Sequence, residues 1–579
     1  MSVDTRLPVV LCWHMHQPQY RDPLSGEYIL PWTYLHAIKD YVDMAAHLED
    51  CPAARAVVNF TPLLLEQIED YRLQISQYLR YSTPIRDPLL AALAGTGLPS
   101  HLEGRRDLVY ACLRANEQRL IGRFPLYAEL VEMARLALRR LEGVSYLANQ
   151  FLVDLVVWYH LAWIGEKVRR QNPDIQRLQQ KGAHYTTEDR RDLLIILGEL
   201  LEGLLPRYRT LANTGRIELS MTPWGHPILP LLLDLNVAKE AMPDVPLGRH
   251  LRYPGGEERA RWHLEEGLAV FERFLGRRPT GCWPAEGGVS NATLTLLGEM
   301  GFRWCASGES VLRNSLNRHH RHQEGNWLHR SYHFEPTHSQ TETPLTCFFR
   351  DDGLADRIGF LYSTWHADDA VGDLVHHLGN IALAVNHIHS TDAIHRNAIV
   401  SIVMDGENAW EYYPENGYYF LSALYQRIAE HPHLRLATYS EYLDQSRVAT
   451  SLPSVVAGSW VYGNFSTWIG STDKNRGWDM LIEAKRCFDA AVATGRLKGE
   501  QLKEIERLLG VCESSDWFWW FGDYNPEETV SSFERLFRRQ LTGLYQTLGE
   551  APPDYLTQSF TRGSGSPQLG GVMRPGQAT

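Results

Sequence analysis

Five short stretches of the chain set chemically capable side chains directly behind apolar runs of strand length. In VVLCWHMHQP, His14 and His16 alternate off the end of the run and therefore face the same side. IELSMTPWGHPILPLL carries Thr222, Trp224 and His226. TGCWPAEGGVS places Glu286 behind Trp283 and Pro284, just before a Gly-Gly step and a helix N-cap at Ser290. TCFFRDDGLADRIGF holds Arg350, Asp351 and Asp352, and in IVSIVMDGENAWEYYPENG Asp405 ends the run with Glu407 and Trp410 behind it. In an α/β barrel the reactive groups sit at the C-terminal ends of the strands, which is where all five stretches fall.

Two carboxyls on separate strand ends, among Trp and His, suit glycoside hydrolysis. One attacks the anomeric carbon or activates water, and the other stays protonated to help the leaving oxygen depart. Other uses of the same residues stay open. His14 and His16 are also compatible with satisfied core histidines or with metal ligation, since a His-x-His pair on a strand is a common ligand arrangement. Glu286 and Asp405 are compatible with stabilising a helix N-terminus, and Arg350 beside Asp351 and Asp352 with an ion-pair network. The aromatic run DWFWWFGDYNP, from Asp516 to Pro526, suits a core plug or a sugar platform.

The elements that must position these groups are legible as patterns. Strand-length apolar runs occur at 9–13, 56–60, 217–221, 281–283, 303–306, 345–349 and 398–404, most of them separated by helical periodicity. Runs such as AIVSIVM, apolar on both faces and β-branched, describe parallel strands covered on two sides, so the fold class is α/β. Residues from about 87 to 211 are rich in Leu, Arg and Glu with helical spacing, and read as a helical insertion between two strands. Beyond about residue 442 the strand signal fades, and 475–493, 498–511 and 527–548 carry helical periodicity.

Composition narrows the function classes. The chain has 579 residues, 44% hydrophobic and 22% charged, which excludes a mainly disordered or fibrous protein. Lys plus Arg number 57 against 69 Asp plus Glu, and the net charge of −12 opposes nucleic acid or an anionic membrane as partner. The 17 Trp and 27 Tyr suit neutral, half-apolar ligands such as sugars. The eight cysteines are scattered without a CxxC pair, the N-terminus lacks a signal-peptide core, and no stretch reaches the roughly 18 apolar residues of a membrane helix; a cytoplasmic protein is expected.

The blocks HMHQP, ELSMTPWGHPILPLL, GCWPAEGG, MDGENAWE and TYSEYL, in this order, closely resemble the five conserved regions of glycoside hydrolase family 57. The later GSWVYGNFSTWIGSTDKNRGWDML and DWFWW segments resemble the helical region of its amylopullulanase-type members, although Asn464 and Ser471 stand where that pattern has acidic residues. The resemblance implies an incomplete (β/α)7 barrel, a retaining mechanism and α-glucan substrates. It places Glu286 at the nucleophile position and Asp405 at the general acid/base position. It places His14, His16, His226 and Trp283 next to the nucleophile, with Arg350, Trp410, Trp460 and Asp516 as further sugar-contacting positions. Trp224, beside His226 ahead of an apolar run, is expected to contact substrate as well.

The expected organisation is then a catalytic barrel over 1–445 with its helical insertion, a helical domain over 446–560 that contributes to the substrate cleft, and a flexible tail over 561–579. The expected activity is hydrolysis of α-1,4 and α-1,6 linkages in glycogen, maltodextrin or pullulan. The alternatives are a 4-α-glucanotransferase or branching enzyme and, from other classes, a His-dependent metal enzyme or a non-catalytic glucan-binding protein. No cofactor or metal is expected. Burial and the neighbouring charge of Glu286 are expected to raise the pKa of Asp405.

Overall fold

The protein was analysed as a computed structural model that describes residues 4–95, 97–320, 326–335, 345–388, 397–445, 449–565 and 573, with backbone alone for 386–388. Its strands are β1 (Leu7–Met15), β2 (Ala56–Phe60), β3 (Ile217–Met221), β4 (Gly281–Cys282), β5 (Trp304–Gly308), β6 (Tyr332–Phe334), β7 (Leu345–Arg350), β8 (Val400–Asp405), β9 (Leu434–Leu436) and β10 (Thr450–Leu452). Seven of them, in the order β7-β5-β4-β3-β2-β1-β8, form a parallel barrel that closes through the pairing of Arg350 in β7 with Ser401 in β8. The seven apolar runs of the sequence supply these seven strands. Three short strands carried no such signal: β6 runs antiparallel to β7, β10 lies on β6, and β9 lies on β1.

Alternation explains why the barrel strands read as unbroken apolar runs. Along β1, Val9, Leu11, Trp13 and Met15 pack outward beneath the helices, while Val10 and Cys12 join Val57, Trp304, Phe348 and Val403 in the barrel interior. Tyr439 plugs the bottom, its ring 4.3 Å from Phe348 and 4.4 Å from Trp304. Two residues further along each strand the inward position turns polar. Cys12 gives way to His14, Val57 to Asn59, Phe348 to Arg350 and Val403 to Asp405, so the period of two delivers reactive groups to one rim.

The helical insertion spans nine helical segments among the described residues, from Pro88–Ala94 to Thr187–Asn213, between β2 and β3. After β10 the chain returns over the barrel mouth, pairing Gly458 with Val289, and continues into helices Thr472–Ala493, Gly499–Cys512, Ser515–Trp520 and Glu527–Thr547. Gly308 permits this return, because a Cβ there would lie 2.6 Å from the Trp460 backbone. Asn464 and Ser471 act locally: Asn464 accepts from the Ser466 N–H, and Ser471 caps the helix that follows. In the segment expected to be a flexible tail, Thr561 is buried and donates to Asp473, and the Ser564 and Gly565 N–H groups bond to Asp523 and Asn525; residues 566–572 and 574–579 lie outside the described residues.

Candidate active site

The rim groups open onto a cavity of about 530 Å³ walled by all three parts of the chain. The barrel contributes His14, His16, His226, Glu286, Arg350 and Asp405; the post-barrel region contributes Trp460, Asp516, Trp519, Trp520 and Phe533. The insertion supplies Arg114, Ala115, Asn116 and Trp163, so it forms part of the cavity wall. Arg114 also pairs with Glu528 of the last long helix, joining insertion and post-barrel region.

Glu286 follows the two-residue strand β4 in a left-handed backbone conformation, with φ of 57°. For a non-glycine residue this costs on the order of 1–3 kcal/mol and has to be held by its surroundings. The Trp460 N–H donates to the Glu286 carbonyl at 3.0 Å, and Ser307 Oγ donates to the Gly287 carbonyl at 2.6 Å. The Glu286 carboxylate accepts from Trp460 Nε1 at 3.0 Å on Oε2, with Ser515 Oγ at 3.5 Å from Oε1. Ser290 caps the next helix, its Oγ accepting from the Thr293 N–H.

Asp405 ends β8 and accepts from Asn408 Nδ2 at 2.8 Å. Burial lifts its pKa to about 6, against the opposing effects of the Asn408 hydrogen bond and the Arg350 charge. The lift thus comes from burial rather than from the expected repulsion by Glu286. Behind it stands a carboxyl that the sequence shows without assigning it a role at the site. Glu407 is buried and borders the cavity, and burial together with Asp405 and Asp40 pushes it well above the usual range. Gln17 Nε2 donates to its Oε1 at 3.2 Å, while its Oε2 has no hydrogen-bond partner among the described residues.

The three histidines stack against one another. His16 and His226 lie 3.7 Å apart between ring centroids, and His14 Nε2 lies 3.2 Å from His226 Nε2. His14 Nδ1 meets one end of the Asn59 amide at 2.7 Å, and His226 Nδ1 meets Ser515 Oγ at 2.8 Å. His16 Nε2 faces both oxygens of Asp516 at 2.9 and 3.0 Å, while its Nδ1 is buried without a partner among the described residues. Burial depresses the pKa of all three, to about 3 for His14 and His16, so they are neutral at physiological pH. His16, His226 and Asp516 bring ligand-type atoms within 4.8 Å of one another.

Other residues singled out in the sequence sit elsewhere. Trp224 is buried beneath the site, its Nε1 bonded to Glu66 and its ring under Arg507. Trp283 is fully enclosed in the barrel interior and touches the site through Trp460, 5.2 Å away. Trp410 donates to the Gly406 carbonyl and packs on Trp13, away from the cavity. Arg350 reaches the cavity but spends its guanidinium on Val403, Asp352 and Asp356. The aromatic run divides: Trp517 is core, and Trp519 and Trp520 face the cavity. Asn59 and Ser515 were not singled out, although Asn59 bears the sign used for the others, a polar residue at the end of an apolar run.

Comparison of the fold with solved structures finds a family 57 branching enzyme of Thermococcus kodakaraensis, at 15% identity and TM-score 0.56, covering 93% of this chain and 89% of that one. The branching enzyme of Pyrococcus horikoshii aligns over 99% of this chain and 100% of its own, at 15% identity and TM-score 0.55. An α-amylase of Thermotoga maritima aligns over 94% and 97%, at 13% identity and TM-score 0.54. No curated protein sequence matches. The model of glycosyl hydrolase family 57 matches residues 10–453, and with its seven-stranded barrel and its carboxyl pair at the rim the chain belongs to that family.

Proposed function

We propose that the protein is a retaining enzyme acting on α-glucans, with Glu286 as nucleophile and Asp405 as general acid and base. The observation that carries this reading is the contrast between two carboxyls on one rim. Glu286 is held by Trp460, which favours the anion that must attack. Asp405 is desolvated, with a pKa of about 6, which favours the proton that the leaving oxygen needs. Attack by Glu286 on the anomeric carbon breaks the glycosidic bond as Asp405 protonates the departing oxygen. In the second half Asp405 takes a proton from water, the water oxygen bonds to the anomeric carbon, and Glu286 leaves as carboxylate. The unpartnered Nδ1 of His16 is an acceptor suited to a sugar hydroxyl.

Transfer to a second sugar in place of water is the alternative outcome at the same two residues. It is supported by the aromatic wall of Trp519, Trp520, Phe533 and Trp163, which suits an acceptor sugar, and by the likeness to branching enzymes. A cytoplasmic location, acting on glycogen or maltodextrins, accords with the absence of a membrane-crossing helix among the described residues. Product analysis on maltoheptaose and pullulan tests the reading, with Glu286→Gln as control. Shorter reducing sugars that vanish with the variant establish hydrolysis, longer chains establish transfer, and activity that survives Glu286→Gln removes the nucleophile assignment. Activity that depends on stoichiometric zinc would instead favour the His-dependent metal enzyme.

A further inference from the structure

A set of hydrogen bonds runs from the barrel interior to Glu286, and their directions follow from the groups at the ends. Thr222 Oγ1 lies 2.8 Å from the Trp283 carbonyl and 2.8 Å from one end of the Asn59 amide. The hydroxyl has one proton and a carbonyl only accepts, so that proton goes to Trp283. The Asn59 end facing Thr222 must therefore donate; it is the NH2. The structure places Nδ2 toward Ser220 Oγ at 3.0 Å and Oδ1 toward Thr222, which sets two oxygens face to face at 2.8 Å without a proton between them; turning the amide removes that clash and lets its oxygen accept from Ser220 Oγ across the same distance.

The same NH2 faces His14 Nδ1 at 2.7 Å, so that nitrogen accepts, and neutral His14 carries its proton on Nε2. His14 Nε2–H then donates to His226 Nε2 at 3.2 Å, which leaves the proton of neutral His226 on Nδ1. His226 Nδ1–H donates to Ser515 Oγ at 2.8 Å. The Ser515 proton is left to point at the one acceptor-only group beside it, the Glu286 carboxylate, at 3.5 Å from Oε1. A bond of that length is weak in the resting state, but catalytic hydrogen bonds commonly tighten when substrate is bound. The Ser515 N–H, bonded to the His226 carbonyl at 2.9 Å, fixes the serine in place.

We infer that Asn59, His14 and His226 form a one-way relay that commits the Ser515 hydroxyl to Glu286, and that this donor assists departure of the nucleophile from the glycosyl-enzyme. The inference rests on the assignment of Glu286 as nucleophile. No proton is transferred along the relay. As the bond from the anomeric carbon to Glu286 breaks, its electron pair returns to the carboxylate, and Ser515 and Trp460 each donate to one of the two oxygens. A donor of this kind stabilises the leaving carboxylate and makes it a weaker attacker, so its loss falls on the second half-reaction. Both ring nitrogens of His14 and of His226 are used by the relay, which leaves His16 as the histidine with a nitrogen for substrate.

The test combines kinetics with spectroscopy. With 4-nitrophenyl α-maltoside, Ser515→Ala should lower kcat about 10- to 100-fold, the range for one charge-assisted hydrogen bond. KM should fall with it, kcat/KM should hold nearly constant, and a burst of one equivalent of nitrophenolate should appear. Ser515→Thr should restore turnover. Asn59→Asp, which presents only acceptors to His14, should reverse the relay and reproduce the Ser515→Ala kinetics with the serine intact. Nitrogen-15 spectra of the histidine-labelled enzyme should show His14 protonated on Nε2 and His226 on Nδ1, both exchanged in Asn59→Asp. A fall of kcat/KM in parallel with kcat and no burst, or the opposite tautomers in the native enzyme, would overturn the relay. Azide rescue of Glu286→Ala, giving the β-glycosyl azide, tests the nucleophile separately: rescue with the wrong tautomers sinks the relay alone, and failure of rescue sinks the nucleophile.

Discussion

Asp405, half-buried at the barrel rim, and Glu513, fully buried at the junction with the helical region, are both carboxyls withdrawn from water to different degrees, yet their surroundings leave them in opposite states. Asp405 meets one amide donor and is lifted to about 6. Glu513 is 1% exposed and is held down at about 2, because the Arg259 guanidinium grips both of its oxygens and His263 and Tyr253 donate as well. Desolvation penalises the charge in both places; at Glu513 the adjacent Arg259 charge, with the hydrogen bonds from His263 and Arg259, outweighs it. One carboxyl is left ready to exchange a proton. The other is a fixed anchor that ties the helix Gly256–Leu275 to the residue preceding Ser514, Ser515 and Asp516, and so holds those groups against the barrel.

The largest break in this comparison should come from Glu513→Ala. Removing the anion leaves Arg259 buried and unpaired, a loss of about 3–5 kcal/mol that chemical denaturation would read. The pH dependence has a definite sign. The folded-state pKa of about 2 lies below the ordinary 4.5, so this stability is fully present above about 4.5 and is lost as pH falls toward 2. Denaturation midpoints that hold level from pH 5 to pH 3 would remove the anchor from the account.

Asp405 should respond in the other direction. Its acid form is lost as pH rises through about 6, so kcat/KM should show an alkaline limb there. Asn408→Ala removes a donor that favours the carboxylate, and the limb should move to higher pH by about one unit. A limb that stays in place would mean that Asn408 does not set the acid.

The smallest effect is expected at Arg114 and Glu528. Their pairing joins the insertion to the last long helix beside the cavity, but Glu528 is 71% exposed and water screens it. Glu528→Ala should change stability by less than about 1 kcal/mol in a thermal melt. A larger loss would show that the two walls hold each other up and do not fold separately onto the barrel.

Much of this was legible in the chain. A polar residue two positions beyond the last inward apolar one is a local signal, and it marked His14, Arg350 and Asp405, while Glu286 stood out as a carboxyl just behind a strand-length run and before a Gly-Gly step. The short strands β6, β9 and β10 lacked a pattern because three residues carry too few alternations to register. Trp283 and Trp410 were assigned to the site by the family resemblance and Trp224 by its place beside His226 in the chain, whereas the position of each ring depends on which face of the barrel wall it occupies. Glu407 was visible as a residue, but the rise of its pKa depends on burial and on Asp405, from a strand end, and Asp40, from the helical segment Ala37–Tyr41, converging on it.

The sequence by itself determined the seven barrel strands, the inward period of two and the two carboxyls on the rim, because these depend on neighbours within a few residues. Only the tertiary structure decided how each carboxyl is charged and which way the histidines donate. Those outcomes are set by donors such as Trp460, Arg259 and Ser515, far away along the chain, and a pKa or a tautomer is a property of everything packed around a group rather than of the residue that carries it.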